Sequence, residues 1–258
     1  MMKYIKILAP LLVALFCTSA CSVKNDTLNV MGYNYLFGVG TEKDYAKAVE
    51  CFRIAVEDGH AGAQNNLAYC YDNGFGVEQD YVEAVRLYKL SADQGFAQAQ
   101  NNLGYSYLFG QGVEQNYERA VELFRLAVAQ NNPEAQNNLA YCYEYGYGVE
   151  QDSAEAIRLY RLSAEQGYAT AQLNLGSRYY LGYGGVEQNY TEAANLFKLA
   201  AEQNELTAIY NLAHCYENGL GVEQNIEEAI RLYKLAAEQG DEDSIARLEE
   251  LKKNQDEN

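Results

Sequence analysis

The feature that most constrains this chain is an internal repeat. From Leu28 onward, closely similar segments begin at Gln64, Gln100, Gln136, Gln172 and Ile209. The spacing is 36 residues, except for a last spacing of 37 that results from one extra glycine in the turn LGYGGVEQN of the fifth segment. Self-similarity at a fixed period of this length is typical of solenoids, in which each unit packs on its neighbours. The repeat therefore predicts one stack of small units.

Each repeat has the pattern of a helix, a turn and a second helix. In the second repeat, Leu67, Cys70 and Tyr71 share one helical face, and apolar residues with helical spacing return after the turn. The turn is G-x-G-V-E-Q, whose glycines suit positive φ angles and whose polar residues indicate a solvated loop. Asp80 then stands at a position suited to an N-cap, and Glu83 completes a capping-box pattern. The second helices end at a residue type suited to the left-handed C′ position: Gly59, Gly95, Asn131, Gly167, Asn204 and Gly240.

The six repeats span 28–63, 64–99, 100–135, 136–171, 172–208 and 209–244. The final segment, 245–258, starts like another first helix but carries Glu249, Glu250, Lys252 and Lys253 where apolar residues are expected. We predict that it is a capping helix with a polar tail, because a solenoid needs a polar end.

A second period, of about 72 residues, overlies the first. Repeats 2, 4 and 6 carry A-[YH]-C-Y-[DE] in the first helix and L-Y-[KR]-L in the second. Repeats 1, 3 and 5 instead carry G-[YS]-x-Y in the first helix and [CL]-F-[RK]-[IL] in the second. Features of any groove are therefore expected to alternate along the stack.

The motifs of these repeats resemble those of a known family. The N-L-[GA]-x-x-Y first helix, the G-x-G-V-E-Q-[DN]-Y linker and the A-[VI]-x-[LC]-[YF] second helix are similar to Sel-one-like repeats (SLR), a subclass of the tetratricopeptide-like helical repeats. The resemblance covers Leu28 to Ser244. It implies an all-α, right-handed α-solenoid that works as a non-enzymatic adaptor or scaffold and holds a protein partner on its concave face.

The N-terminus differs from the repeats. Residues 1–20 contain two lysines, an apolar run and small residues up to Ala20, as in an export signal. Cys21 follows directly, and this placement resembles the lipobox of bacterial lipoproteins, in which the cysteine is lipidated. The resemblance implies a membrane-anchored envelope protein with a linker over 21–27. The alternative is ordinary signal cleavage, which leaves a soluble periplasmic protein.

Charge argues against nucleic acid as a partner, and the motifs argue against a catalytic or metal site. The chain has 19 Lys and Arg against 36 Asp and Glu, a net charge of −17 that repels phosphate backbones. No zinc-site spacing, nucleophile motif or complete phosphate loop is present, so we predict no cofactor, no metal and no catalytic residue. His60 and His214 are expected to have solvated or packing roles.

The spacing of the cysteines in the repeats allows one disulfide pairing. Cys70, Cys142 and Cys215 recur two repeats apart, which is about 16–20 Å and too far for pairing with one another. A bridge between Cys51 and Cys70 is the remaining pairing, and small buried hydrophobic side chains are the favoured alternative.

The groove prediction rests on three rows of the first helices. The first is an amide row, Asn65, Asn101 and Asn137. The second is an aromatic row, Tyr33, Tyr69, Tyr105 and Tyr141, which gives way to Ser177 and His214. The third alternates along the stack and includes Asp72, Glu144 and Glu217. Amides can pair with a peptide backbone and tyrosines offer broad area with a polar tip, so these rows predict binding of a protein or extended peptide.

Other interpretations of the rows stay open. Tyrosines at one further position occur in all six repeats and are assigned to the core: Tyr35, Tyr71, Tyr107, Tyr143, Tyr179 and Tyr216. A second asparagine row could tie helix to turn: Asn66, Asn102, Asn138, Asn174 and Asn211. Two further functions, a cell-wall hydrolase and a passive envelope spacer, remain as alternatives to the adaptor.

Overall fold

The computed structural model describes residues 23–256, which contain 13 helices and no strand. The first helices of the repeats are α1 (23–37), α3 (Ala61–Asn73), α5 (Ala97–Phe109), α7 (Pro133–Tyr145), α9 (Ala169–Leu181) and α11 (Leu206–Asn218). The second helices are α2 (Tyr45–Glu57), α4 (Tyr81–Asp93), α6 (Tyr117–Val128), α8 (Ser153–Glu165), α10 (Tyr190–Ala201) and α12 (Ile226–Ala237), and α13 (Glu242–Asp256) follows. The predicted signal peptide and Cys21 lie outside the described residues.

The chain divides after Gln130 into two compact units, α1–α6 and α7–α13. Within each unit, helices pack mainly on the helices before and after them in sequence, and α13 packs on α12. This arrangement confirms the prediction of an all-α solenoid with a C-terminal helix. None of the helices in residues 23–256 is both long enough and apolar enough to cross a membrane.

The N-cap and the left-handed C-terminal residue of the second helices lie where the sequence predicts them, but the capping box does not form. The Asp80 carboxylate accepts hydrogen bonds from the N–H groups of Val82 and Glu83, each at 3.0 Å, as an N-cap should. The capping box is wrong, because the Glu83 carboxylate accepts from the Arg86 guanidinium at 2.7 Å instead. At the other end, Asn131 has a φ of 62°, in the left-handed region predicted for these C-terminal positions.

The turn between the helices is less solvated than its polar sequence suggests. The Gln79 side chain donates a 2.8 Å hydrogen bond to the backbone oxygen of Asp72, and Gln115 does the same for Leu108. These glutamines satisfy carbonyl groups that the end of a helix leaves without a partner. In the third repeat the second glycine of the turn is sterically required, since a Cβ atom on Gly112 would lie 2.1 Å from the backbone oxygen of Tyr81.

The core has the 72-residue period of the sequence. The largest buried side chains of the second helices are at most 1% exposed and alternate between phenylalanine and tyrosine: Phe52, Tyr88, Phe124, Tyr160, Phe197 and Tyr233. Each phenylalanine lies over a glycine of the preceding first helix, where a Cβ atom would come within 2.5–2.8 Å of the ring: Gly32, Gly104 and Gly176. The tyrosine repeats carry alanine at that position.

The cysteines of the repeats are free and buried. Cys70, Cys142 and Cys215 are 0% exposed, and burial raises the pKa of the Cys70 and Cys142 thiols to about 12. Cys51 is also free, so the Cys51–Cys70 bridge left open by the sequence is not formed. These side chains act as small apolar groups of the core.

Candidate functional site

The amide row lies inside the stack. Asn65, Asn101 and Asn137 are 3–6% exposed. In the first unit, the Asn66 amide donates to Asn29 Oδ1 at 2.9 Å, and the Asn102 amide donates to Asn65 Oδ1 at 3.1 Å. The same bond, at 2.9 Å, joins Asn174 to Asn137 in the second unit.

These bonds correct the sequence interpretation of the row. Each one joins the first helices of successive repeats, so the amides that were placed on the groove are internal links. The reason is physical, because a buried amide must be hydrogen-bonded and its counterpart in the next repeat supplies the partner.

Two of the three predicted acidic residues are also internal. Glu144 and Glu217 are 5% and 6% exposed. Glu144 accepts a 3.0 Å hydrogen bond from the Tyr160 hydroxyl and pairs with Arg178, whose Nε lies 3.1 Å away. Glu217 accepts from Tyr233 at 2.9 Å and pairs with Arg247 of α13. Their placement on an open groove is therefore corrected, because both carboxylates are occupied inside the stack.

The environments of the acids differ in their effect on pKa. The Arg247 guanidinium, with help from the Tyr233 hydroxyl, lowers the pKa of Glu217. Asp72 is half-buried and bonded to the Tyr88 hydroxyl, and its burial raises its pKa. The residue equivalent to Arg178 in the repeat after Asp72 is Ser106, which brings no positive charge.

The aromatic row is the part of the predicted groove that reaches the surface. Tyr33 and Tyr105 are 47% and 43% exposed, and Tyr69 and Tyr141 are half-buried. Three of these rings pair with an aromatic residue one helical turn further on, such as Phe37 for Tyr33, with ring centroids 4.6 Å apart. The equivalent distances are 4.5 Å for Tyr105–Phe109 and 4.6 Å for Tyr141–Tyr145.

In the first unit these pairs join into a continuous strip. The Phe37 ring lies 6.2 Å from the Tyr69 ring, which lies 5.9 Å from the Phe75 ring. Phe75 in turn stacks on Tyr45 at 4.8 Å. We call the strip formed by Tyr33, Phe37, Tyr69, Phe75 and Tyr45 the aromatic strip. The invariant tyrosines lie beside the core, where Tyr35, Tyr71 and Tyr107 are half-buried against it.

A cavity forms in the second unit where the rows change. Leu173 and Tyr210 stand at the positions of the amide row, and Ser177 and His214 stand at the positions of the aromatic row. A serine leaves the space that a tyrosine ring takes up in the earlier repeats. The resulting cavity has a volume of about 340 Å³ and is lined by Ser177, Tyr180, Leu181, Phe197, Tyr210, Asn211 and His214. We call it the ring cavity.

The apolar wall of the ring cavity also contains a few polar groups. The His214 Nδ1 lies 3.2 Å from the Tyr180 hydroxyl, and the Ser177 hydroxyl donates to the Leu173 carbonyl at 2.9 Å. Asn211 belongs to the second asparagine row. Because Leu173 stands where the earlier repeats have the accepting asparagine, that link between repeats is missing for Asn211.

A second cavity, of about 350 Å³, shares Tyr210 and His214 with the ring cavity. Its other lining residues are Asn218, Asp243, Ala246, Arg247 and Glu250. Arg247 pairs with Glu250 and with the buried Glu217, and Asp243 lines the same cavity. We call this space the acidic cavity.

Comparison with known proteins agrees with the repeat pattern. The sequence model of the Sel1 repeat matches residues 26–60, 61–96, 97–132, 133–168, 169–205 and 206–241. The chain is a member of the Sel1 repeat family. Sel1 repeats commonly mediate protein–protein interaction, and proteins built from them are typically non-enzymatic adaptors. No curated protein matches the chain significantly.

Several solved structures resemble this Sel1 repeat protein. A protective antigen of uropathogenic Escherichia coli with an SLR fold is 36% identical, with a TM-score of 0.66. The alignment covers 93% of this chain but 51% of the antigen, so the chain spans about half the antigen's length. A Sel1 repeat protein of Oxalobacter formigenes is 32% identical over 82% of this chain and 84% of its own, with a TM-score of 0.72.

An immunity protein of Pseudomonas aeruginosa shares the fold at 24% identity and a TM-score of 0.60, over 83% of this chain and 81% of its own. Within residues 23–256 of this Sel1 repeat protein, no cluster of three or more His, Cys, Asp or Glu side chains is arranged to hold a metal ion. His60, one of the two histidines, is the N-cap of α3, and its Nδ1 accepts from the Ala63 N–H at 3.0 Å.

Sequence reasoning missed two arginines and three buried tyrosines. Arg178 and Arg247 hold the acids, and their signal was weak because they stand at different repeat positions on α9 and α13. The signal for Tyr88, Tyr160 and Tyr233 was present. At the buried Phe/Tyr position of the second helix, tyrosine occurs only in the repeats that carry Asp or Glu at the third row, and this correlation indicates a contact.

Proposed function

We propose that this Sel1 repeat protein is a non-enzymatic adaptor that binds a protein or peptide partner through exposed side chains of its first helices. The observation that carries the proposal is the aromatic strip of the first unit, where Tyr33 and Phe37 of α1 are 47% and 42% exposed and Tyr45, at the adjoining start of α2, is 36% exposed. Large exposed aromatic side chains in contact with one another mark interaction surfaces, because their area is not used in the fold.

The form of the strip favours an extended segment as the bound element. Neighbouring first helices lie about 8–10 Å apart, so the rings repeat at a spacing that a few extended residues can span. Tyrosine buries a large area for few rotatable bonds and leaves its hydroxyl available for a hydrogen bond. The common interaction role of Sel1 repeats supports the same proposal.

The envelope location is part of the proposal. The basic and apolar leader followed by small residues and Cys21 supports export and lipid attachment, with the repeats outside the cytoplasm. Cys21→Ala with membrane fractionation tests the anchor. A lipoprotein would lose its membrane fraction on this substitution, whereas an unchanged distribution would contradict the lipid anchor.

A photocrosslinking experiment tests partner binding. The crosslinking amino acid p-benzoylphenylalanine is placed at Tyr33 or Tyr105 on the first helices and, as a matched control, at Leu126 on α6, which is 52% exposed. Illumination of cells that express each variant is expected to give one discrete crosslinked product from the first-helix positions and none from Leu126. Products of equal yield from all three positions, or none from any, would contradict the proposed surface.

A further inference from the structure

We infer that the fifth and sixth repeats, together with α13, recognise a segment in which a bulky apolar side chain stands next to a basic one. The inference rests on the proposed peptide-binding function and specifies the chemistry of the partner. It comes from the two adjoining cavities, whose walls differ in character although they share Tyr210 and His214.

The ring cavity fits one bulky apolar side chain. Its floor is Phe197, which is 1% exposed, and its rim is Leu181, which is 67% exposed. Tyr180 and Tyr210 form half-buried aromatic walls. At about 340 Å³ the cavity is near the lower end of the roughly 300–1,000 Å³ of ligand sites, which suits a single Phe, Tyr or Leu side chain.

Asn211 provides a way to hold the backbone of the bound segment. In earlier repeats the asparagine at this position donates its amide to the preceding first helix, as Asn174 does to Asn137. Leu173 removes that acceptor for Asn211, and the amide lines the ring cavity. One amide offers both a donor and an acceptor, which matches the C=O and N–H groups of an extended peptide.

The acidic cavity fits a positive charge. The single positive charge of Arg247 is paired with two carboxylates, Glu217 and Glu250, and Asp243 adds a third negative charge to the cavity. The Glu250 side chain is 60% exposed and remains open to solvent. A Lys or Arg side chain next to the apolar anchor would meet this excess of carboxylates, and the net charge of −17 would favour its approach over a longer range.

The test uses selection from a phage-displayed library of random 12-residue peptides on the immobilised full-length protein. The same selection is made on Ser177→Tyr, which restores the ring of the earlier repeats, and on Ser177→Ala, which leaves the cavity open. A third variant, Asp243→Asn/Glu250→Gln, removes two acidic-cavity charges. Its matched control is Asp93→Asn/Glu165→Gln, at exposed acids of second helices. Far-UV circular dichroism checks that every variant is folded.

The expected result is enrichment on the wild type of peptides with an aromatic or aliphatic residue beside Lys or Arg. A synthetic peptide from this set is expected to lose at least tenfold in affinity on Ser177→Tyr and to keep its affinity on Ser177→Ala. The acidic-cavity variant should lose the preference for the basic residue, and its control should keep it.

The inference fails if folded Ser177→Tyr retains full affinity or if the enriched peptides carry no basic residue. Peptides that instead lose binding on Tyr33→Ala/Tyr105→Ala would overturn the inference and leave the proposed function standing. Absence of any enriched peptide on the wild type would count against both.

Discussion

The hydroxyl of Tyr160 donates a 3.0 Å hydrogen bond to the carboxylate of Glu144, and this contact accounts for the 72-residue period. In repeats 2, 4 and 6 a second-helix tyrosine meets an acid of the first helix, as in Tyr233–Glu217. In repeat 3 the corresponding residues are Phe124 and Leu108, both buried. The alternation therefore places an acceptor beside the buried tyrosine hydroxyls of repeats 4 and 6 and an apolar side chain beside the buried phenyl ring of repeat 3.

This relationship predicts the effect of exchanging the rings. Tyr160→Phe removes one buried hydrogen bond and should lower the free energy of unfolding by about 1–1.5 kcal/mol. The reciprocal Phe124→Tyr places a hydroxyl near Leu108 without an acceptor and should cost about 1–3 kcal/mol. Urea denaturation followed by circular dichroism measures both, and a Phe124→Tyr protein as stable as the wild type would contradict the explanation.

The glycine beneath each buried phenylalanine predicts that a Gly→Ala exchange in a phenylalanine repeat costs more stability than an Ala→Gly exchange in a tyrosine repeat. Gly104→Ala brings a Cβ atom within 2.7 Å of the Phe124 ring and should destabilise the protein by about 1–3 kcal/mol, although alanine is the better helix former. Ala140→Gly, at the same position in repeat 4, should cost only the helix propensity of about 1 kcal/mol. Thermal unfolding measures both variants. A Gly104→Ala protein at least as stable as the wild type would contradict this prediction and show that the Phe124 ring can move aside.

The ion pair of α13 predicts a pH dependence. The pKa of Glu217 is lower in the folded chain than its ordinary value of 4.5, because Arg247 and Tyr233 stabilise the carboxylate. This stabilisation is present above that ordinary value and is lost as the pH falls through the lowered pKa. Glu217→Gln should therefore cost about 1–2 kcal/mol at neutral pH, reduced by the exposure of Arg247, and much less once the pH has fallen below the lowered pKa, which thermal melting over a series of pH values measures.

Asp72 provides the matched control, because burial raises its pKa and no arginine stands at the position of Arg178 in the following repeat. Its charge costs stability in full above the raised pKa, and the cost disappears as the pH falls from the raised pKa to the ordinary value of 3.8. Asp72→Asn should therefore be neutral or stabilising at neutral pH in the same melting experiment. A loss as large as that of Glu217→Gln would contradict this assignment.

The amide links predict that Asn102 and Asn211, which occupy the same repeat position, contribute differently to the stability of the protein. Asn102→Ala leaves the buried Asn65 oxygen without its donor and should cost about 1–2 kcal/mol of stability. Asn211→Ala breaks no link between repeats and should change the melting temperature little, while it weakens the peptide selected on the wild-type protein. The opposite result, with Asn211→Ala the less stable variant, would place Asn211 among the structural amides.

The sequence predicted the architecture well because the signals are local and occur six times. Helix pairs, the N-cap at Asp80 and the left-handed Asn131 follow from spacing and from the chemistry of single residues. The groove residues were harder to predict. Asn65 and Tyr33 lie on the same first-helix surface in a helical projection, yet one is 5% and the other 47% exposed. Packing of one repeat on the next decides which of the two side chains is buried, and the sequence of a single repeat does not show how the repeats pack.

The two cavities also could not be predicted from the sequence, although the change of residues that opens the ring cavity is visible in it. The change from Tyr141 to Ser177 and His214 was visible in the sequence as a break in a row. The space it opens depends on Phe197 behind it and on Tyr210 beside it. The role of Arg247 was hidden because α13 departs from the repeat, and the acidic cavity depends on that helix.

The most direct test of partner binding by the first helices is the triple variant Tyr69→Ala/Tyr105→Ala/Tyr141→Ala. Its far-UV circular dichroism spectrum and its yield of the partner crosslinked from Tyr33 are compared with those of the wild type. We predict an unchanged helical signal and loss of the crosslinked product. Full crosslinking by the folded variant would contradict the claim, and loss of the helical signal would assign these tyrosines to the core instead.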